Sequence, residues 1–360
     1  MPMNLSHQSI QSIEELVLET LSRVCLSDGG PDVVSAGQVY DVVATGGAVR
    51  ILLDPEHLAE DQQEALAEAI TPLVESLPGV ERAVVKPRPR SIAQRDSLPG
   101  IRHVVGVHSG KGGVGKSTLT VNLAVALAQQ GYAVGLLDAD VYGPSAPTLL
   151  GVSGRAETTA AGDRIEPREA FGVRMMSIGL LLPEEQALIW RGSLIDQGLP
   201  QLFHDVAWGE LDILLVDLPP GTSDVHIAVA QSVALSGVIT VTSPGQVAID
   251  DVRRGLEMFA DLAVPCLGLV ENMAGVACRQ CGHVGALFGA GGARELADLT
   301  GLPLLASLPF MPRVAVGSDD GSPVAREHTG VGAPFHALAR QVAAGLKLEQ
   351  AQELQTEVVL

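Results

Sequence analysis

The stretch Gly110-Lys111-Gly112-Gly113-Val114-Gly115-Lys116-Ser117 decides how this chain is read. It fits the phosphate-loop pattern G-x-x-x-x-G-K-[ST]: backbone N–H groups cradle phosphates, the lysine reaches them and the hydroxyl ligates Mg²⁺. Upstream lies His103-Val104-Val105-Gly106-Val107-His108, an apolar run suited to a buried strand. Downstream, Leu119 to Gln130 is an alanine- and leucine-rich helix that ends at Gly131. Strand, glycine loop and helix in that order let a helix N-terminus hold an anion. Gly110 to Ser117 and the adjoining Thr118 are therefore the expected nucleotide contacts, with Lys116 on the phosphates and Ser117 on the metal.

A second lysine sharpens the reading. The chain has 4 lysines (Lys86, Lys111, Lys116 and Lys347) against 19 arginines, and two of them sit in this octapeptide. An arginine-favouring composition thus keeps lysine where a compact point charge enters a crowded phosphate site.

The chain has 360 residues, long enough for two domains. No apolar run approaches the roughly 18 to 20 residues that cross a bilayer, and Met1 to Glu15 has no basic-then-apolar signal pattern. Four cysteines do not make a disulfide scaffold, so the reducing cytosol is the expected compartment. A net charge of −19 disfavours nucleic acid and anionic lipid as partners. The one basic cluster, Lys86-Pro87-Arg88-Pro89-Arg90, is proline-rich and reads as linker.

Residues 1–86 read as a small α+β domain in the order α-β-β-α-β. Its first helix spans Ser12 to Leu26, with Ser12 and Glu15 as a capping box, and Cys25 lies on the apolar face. Strands follow at Val39–Val43 and Ala48–Leu53, then a helix at Gln62–Leu77 and a strand at Val80–Lys86. Residues 87–100 read as a linker. Residues 101–347 alternate strands and helices at 103–107, 119–130, 133–138, 212–217, 224–235, 237–242, 250–262, 266–271, 292–299, 303–308 and 335–346. The expected fold class is α/β, a mostly parallel sheet with helices on both faces, because strands such as Leu211 to Asp217 are almost continuously apolar. Residues 348–360 form an acidic, glutamine-rich tail with no basic amphipathic face for a membrane.

Carboxylates fall where the chemistry needs them. Asp138-Ala139-Asp140 follows the strand Ala133 to Leu137, beside the phosphate loop. Asp217 ends an apolar strand and precedes Leu218-Pro219-Pro220-Gly221-Thr222-Ser223-Asp224, the Walker B arrangement for holding Mg²⁺ directly or through water. Asn272, after Gly268-Leu269-Val270-Glu271, stands at another strand end, where it reads either as a helix-cap or turn residue or, by resemblance to related P-loop proteins, as a contact to adenine. Cys278-Arg279-Gln280-Cys281 offers two thiols at chelating spacing. Two thiolates are an incomplete set for zinc or a [4Fe–4S] cluster, and a twofold dimer supplies the other two. Cys266 reads as a core thiol.

The loop Gly110–Ser117 resembles the deviant Walker A loop of the MinD/ParA/nitrogenase-iron-protein class, in which the extra lysine, here Lys111, crosses to the partner's nucleotide. Together with Asp138-Ala139-Asp140-Val141-Tyr142-Gly143-Pro144-Ser145, Trp190-Arg191-Gly192, Asp217-Leu218-Pro219-Pro220-Gly221-Thr222, the cysteine pair and Phe288-Gly289/Gly291-Gly292, it resembles the Mrp/ApbC family of P-loop ATPases over residues 98–345. Ser223 departs mildly, standing where that family has glycine. The resemblance implies a slow ATP hydrolase in which Lys111 and Lys116 neutralise phosphate, Asp140 positions the water, and Ser117, Asp138 (outer shell) and Asp217 serve Mg²⁺. It also implies a homodimer that bridges a labile [4Fe–4S] cluster through Cys278 and Cys281 and passes it to apo-proteins. The first domain resembles iron–sulfur assembly domains but lacks their cysteine after the second strand, reading Leu53-Asp54-Pro55, so docking is its expected role. A MinD/ParA-type positioning ATPase and a zinc-bridged dimeric regulator are the alternatives. The first leaves the cysteines unexplained, and metal identity decides the second.

Overall fold

The computed structural model describes residues 12–25, 30–45, 47–54, 60–87, 95, 97–141, 143–181, 198–199, 201–277, 283–286 and 288–348. The chain divides into two units, residues 1–90 and 91–360.

In the smaller unit, α1 (Ile13–Leu21) and α2 (Glu60–Glu75) accompany a three-stranded sheet. Strand β1 (Val39–Thr45) runs antiparallel to β2 (Ala48–Leu53), and β2 runs parallel to β3 (Arg82–Pro87). Val17 and Leu21 of α1, Leu66, Ile70 and Val74 of α2, and Val49, Ile51 and Leu53 of β2 form its core. The capping box is present: Glu15 N–H donates to Ser12 Oγ at 3.2 Å and Ser12 N–H to Glu15 Oε2 at 3.2 Å. The helix stops at Leu21, short of the expected Leu26, and this corrects the reading of Cys25. Val24 N–H turns back to Leu21 O and Val33 N–H closes onto Val24 O at 2.8 Å, so Cys25 leaves the helix and is exposed.

The larger unit is built on a nine-stranded sheet. Its strands are β4 (Ile101–Ser109), β5 (Val134–Asp138), β6 (Arg168–Ala170), β7 (Val173–Ser177), β8 (Leu211–Pro220), β9 (Gly237–Thr242), β10 (Cys266–Ala277), β11 (Val284–Gly285) and β12 (Leu304–Phe310). The order is β11-β10-β9-β4-β8-β5-β7-β6, with β12 also paired to β10. Only the β10–β11 and β6–β7 pairs are antiparallel. All six residues of β9 and all five of β5 are buried, as a sheet covered on both faces requires.

The helices are α3 (Lys116–Gln129), α4 (Ala146–Leu149), α5 (Asp224–Ser232), α6 (Gln246–Asp261), α7 (Gly292–Thr300), α8 (Pro312–Asp319) and α9 (Ala333–Leu346). Helix α3 is buried from Leu119 to Leu127, so it reads as apolar on every side. Helix α6 is two-faced: Ala248, Ile249, Val252, Gly255 and Phe259 are buried, while Asp250, Arg253, Arg254 and Glu257 face out.

Three departures from the sequence reading stand out. The β6–β7 hairpin was not expected. Its turn places Phe171 and Gly172 at φ of 52° and 77°, and a left-handed phenylalanine carries no turn signature. Helix α8 buries none of its residues and has no marked apolar stripe. Within the stretch read as linker, Leu98 is buried in the larger core and Arg95 donates to the Leu262 carbonyl.

Leu123 is fully buried in α3 beneath the sheet. Leu123→Ala is expected to lower unfolding stability by about 2–5 kcal/mol, read from urea denaturation of the full chain.

Candidate functional site

Strand β4 delivers the phosphate loop, and two neighbours fix its shape. A Cβ on Gly110 would lie 2.6 Å from the Asp251 carbonyl carbon and 2.6 Å from the Val252 nitrogen of α6, so the loop begins against a helix backbone. Gly113 and Gly115 sit at φ of 80° and 82°. Val114 is buried, and its carbonyl accepts from Asn272 Nδ2 at 2.8 Å. Helix α3 then starts at Lys116 with no side-chain cap, leaving its first N–H groups for an anion.

Lys116 is 6% exposed, and its ammonium donates to Asp217 Oδ1 at 2.8 Å and to Ser117 Oγ at 3.1 Å. Thr120, one helical turn on, donates to the same carboxylate oxygen at 2.8 Å. Asp217 Oδ2 is buried and has no hydrogen-bond partner among the described residues. Asp138 pairs with Asp217 across β5 and β8, and it accepts from Asp140 N–H at 3.1 Å and Ala146 N–H at 3.0 Å. Burial, then the neighbouring Asp217 charge, push the Asp138 carboxyl up to about 7.

Asp140 accepts from Gly143 N–H at 3.3 Å and lines a cavity of about 240 Å³ with Gly113, Lys116, Ser117, Thr118 and Pro220. A second cavity of about 330 Å³ lies on the other side of Gly115 and Thr118, bounded by Asn272, Met273, Phe310 and Phe335. Lys111 is partly exposed, and among the described residues no acceptor engages its ammonium.

Residues 100–343 match the family described as ParA, NUBPL iron-transfer P-loop NTPase. The chain belongs to that family. Residues 14–86 match a second family, described as iron–sulfur cluster assembly protein. The iron–sulfur cluster carrier protein of Aquifex aeolicus is 39% identical over 336 residues, 87% of this chain and 92% of the relative. That of Helicobacter pylori is 38% identical over 350 residues, 95% of each. Among solved structures, a nucleotide-binding protein of Archaeoglobus fulgidus in complex with ADP is 37% identical at a TM-score of 0.58, covering 68% of this chain and 96% of that one. MinD of Pyrococcus horikoshii, complexed with Mg-ADP, is 24% identical at a TM-score of 0.51 and shares the fold.

As an iron-transfer P-loop NTPase the chain is a nucleotide-binding protein, and its loop, Asp138, Asp140 and Asp217 converge. Asn272 holds the loop from β10 through its amide nitrogen, a bracing role that the sequence did not announce. Cys278, Cys281, Tyr142 and Trp190-Arg191-Gly192 lie outside the described residues. The chain on either side of the cysteines is an antiparallel pair, Val276 with Gly285 and Ala277 with Val284. Cys266 is half-buried and burial pushes its thiol up, which suits a core residue. Gly292 packs at α7, where a Cβ would stand 2.6 Å from the Pro244 carbonyl oxygen, and Phe288 is exposed. No described helix is long and apolar enough to cross a membrane.

Sequence reasoning missed Thr120, although its position four residues after Lys116 places it on the same helix face. It also assigned nothing to His108 and His226, which are fully buried under the site. Burial, then its neighbour His226, pushes His108 down to about 3; burial pushes His226 down to about 4 against the opposing pull of Ser223.

Gly110→Ala is expected to weaken ADP binding by more than about tenfold, measured by calorimetry, because neither backbone can yield. The two histidines stay neutral in the folded chain but gain protons near pH 6.5 when unfolded. Acidification from about pH 6.5 to 4 should therefore cost up to about 1.4 kcal/mol per pH unit for each. The stability slope of the His108→Gln/His226→Gln double variant over that window is expected to be flatter than that of the wild type.

Proposed function

We propose that this chain is a homodimeric, Mg²⁺-dependent ATPase that holds an iron–sulfur cluster between its subunits and delivers it to apo-proteins in the reducing cytosol. The observation that carries the reading is the buried Lys116–Asp217–Thr120 set under a glycine loop, in a chain whose two units match an iron-transfer NTPase and an iron–sulfur assembly family. Relatives spanning most of their own length and most of this chain are named iron–sulfur cluster carrier proteins.

The residues present fit a Mg²⁺ ion. Asp217 Oδ2 is a buried oxygen without a partner, and the Ser117 hydroxyl belongs to the same hydrogen-bonded group. These are hard oxygen donors, with phosphate and water completing the shell. When bound, Mg²⁺ neutralises phosphate charge. Asp217 and Ser117 would hold it, and Asp138 would act from the outer shell.

The loop amides of Gly112 to Ser117 and the first turn of α3 bind phosphate, and Lys116 and Lys111 balance its charge, Lys111 from across the dimer. Asp140, on the wall of the same cavity, orients water for in-line attack on the terminal phosphorus, giving ADP and phosphate. The cavity beside Asn272, Met273 and Phe310 has the apolar lining and position for the base, with Asn272 at its edge.

The cluster is cargo. Two thiolates per chain, Cys278 and Cys281, complete a four-ligand set only in a dimer, and a cluster so held is exposed for transfer.

Lys116→Ala is expected to abolish nucleotide binding, while Cys278→Ala/Cys281→Ala retains it. Anaerobic reconstitution of the wild type should give about four irons and four sulfides per dimer, lost in the cysteine variant. Iron independent of the cysteines, or stoichiometric zinc in its place, would overturn the carrier reading. A metal ion beside Asp138 should also displace its proton. Mg-ADP binding at pH 7 should then release more protons in wild type than in Asp138→Asn, read from the buffer dependence of the binding heat.

A further inference from the structure

His108 closes β4 immediately before the phosphate loop, and His226 lies in the first turn of α5. Both are fully buried, their ring centroids 5.3 Å apart and edge to face, with Phe259 of α6 at 5.1 Å and 5.9 Å. The pair sits behind the segment Pro219 to Ser223, which follows Asp217. Pro220 of that segment lines the phosphate cavity beside Lys116.

The hydrogen bonds tie each ring to the same backbone segment. His108 Nε2 lies 3.1 Å from the Gly221 carbonyl, which accepts only, so Nε2 carries the proton and Nδ1 is bare. Ser223 N–H lies 3.1 Å from His226 Nδ1 and Ser223 O 3.2 Å from the same nitrogen, so the Ser223 backbone engages Nδ1 in either tautomer. The Pro219 backbone also favours the ring's protonated form, and His226 Nε2 has no hydrogen-bond partner among the described residues. Pro219, Gly221 and Ser223 are alternate residues of one segment, and each has its backbone turned to one of the two imidazoles. Gly221, at φ 80°, is held from its other side as well, its N–H donating to Ser109 O at 2.8 Å. The last two residues of β4 therefore grip both polar groups of Gly221.

Core filling does not account for these side chains. Among the described residues, His108 Nδ1 and His226 Nε2 are buried without hydrogen-bond partners, which costs free energy that a leucine or phenylalanine would avoid. Helix α6 presents Gly255 to the His108 ring, and a Cβ there would collide with His108 Cε1. The surroundings are shaped around an imidazole.

We propose that His108 and His226 are positioning residues for nucleotide hydrolysis: two neutral imidazoles that clamp the Pro219–Ser223 segment against the end of β4 and so hold Pro220 and Asp217 in register with the phosphate loop. The inference rests on the ATPase reading above. Neither ring touches the cavity, so the expected signature is a loss of rate with nucleotide affinity kept.

The test uses the full chain and the variants His108→Leu, His108→Gln, His226→Leu and His226→Asn. Single-turnover ATP hydrolysis by the leucine variants should be slower by about tenfold or more, while ADP affinity stays within about threefold of wild type. His108→Gln retains a side-chain N–H for Gly221 O, and His226→Asn a side-chain acceptor for Ser223 N–H, so both should recover part of the rate. Nitrogen-15 shifts should show the wild-type His108 ring protonated on Nε2, and the Gly221 and Ser223 amides should exchange faster in the leucine variants. Wild-type hydrolysis rates in the leucine variants, equal losses of rate and affinity, or an Nδ1–H tautomer at His108 would overturn the clamp. If the wild type itself does not hydrolyse ATP, the ATPase reading fails, and the His108 tautomer and amide exchange still decide whether the clamp exists.

Discussion

Everything at the nucleotide end of the larger unit is arranged around one buried cation. The Lys116 ammonium is almost wholly removed from water, and it is tolerable there because Asp217 stands 2.8 Å away. Removing one member of such a pair commonly costs about 3–5 kcal/mol, since the other charge is left unpaired. The pair joins the first turn of α3 to the end of β8, and Thr120 joins it again one turn further on. Asp138 sits beside this pair in the next strand, and a single lysine cannot fully balance two carboxylates at that depth. Burial first, and then the Asp217 charge, push the Asp138 carboxyl up to about 7.

The loop owes its shape to its neighbours as much as to its own glycines. Gly110 begins it against the backbone of α6, and Gly115 ends it with the Asn272 amide where a Cβ would stand. Asn272 then holds the Val114 carbonyl from β10. The nucleotide-binding loop is thus cast between α6 and β10, two elements remote in sequence from it.

Local chemistry was legible in the sequence. Glycine spacing, two lysines and aspartates after apolar runs each declare themselves within a few residues, and they gave the loop, Asp138, Asp140 and Asp217. Near-continuous apolar strands declared the parallel sheet for the same reason. What escaped depends on partners far along the chain. His108 acquires meaning only from Gly221, 113 residues on, and Asn272 from Val114, 158 residues back. The β6–β7 hairpin was hidden by a phenylalanine in a left-handed turn. Cys25 was misplaced for a more local reason: Val33 N–H closes onto Val24 O, and the chain turns back just past the end of α1.

Strand β10 has a consequence of its own. It carries Asn272 at the phosphate loop and runs on to Ala277, the residue before the first of the paired cysteines. Between them Met273 takes φ 58°, and the pairing with β12 slips between Asn272 and Val276. A left-handed methionine is an uncommon, strained conformation, sustained by what surrounds it. One end of this strand therefore stands at the glycine loop and the other precedes the cysteine pair, with a left-handed residue and a register slip between. If both ends bind as proposed, any coupling carried by this strand is reciprocal: what a nucleotide does to the cargo's affinity, the cargo does to the nucleotide's.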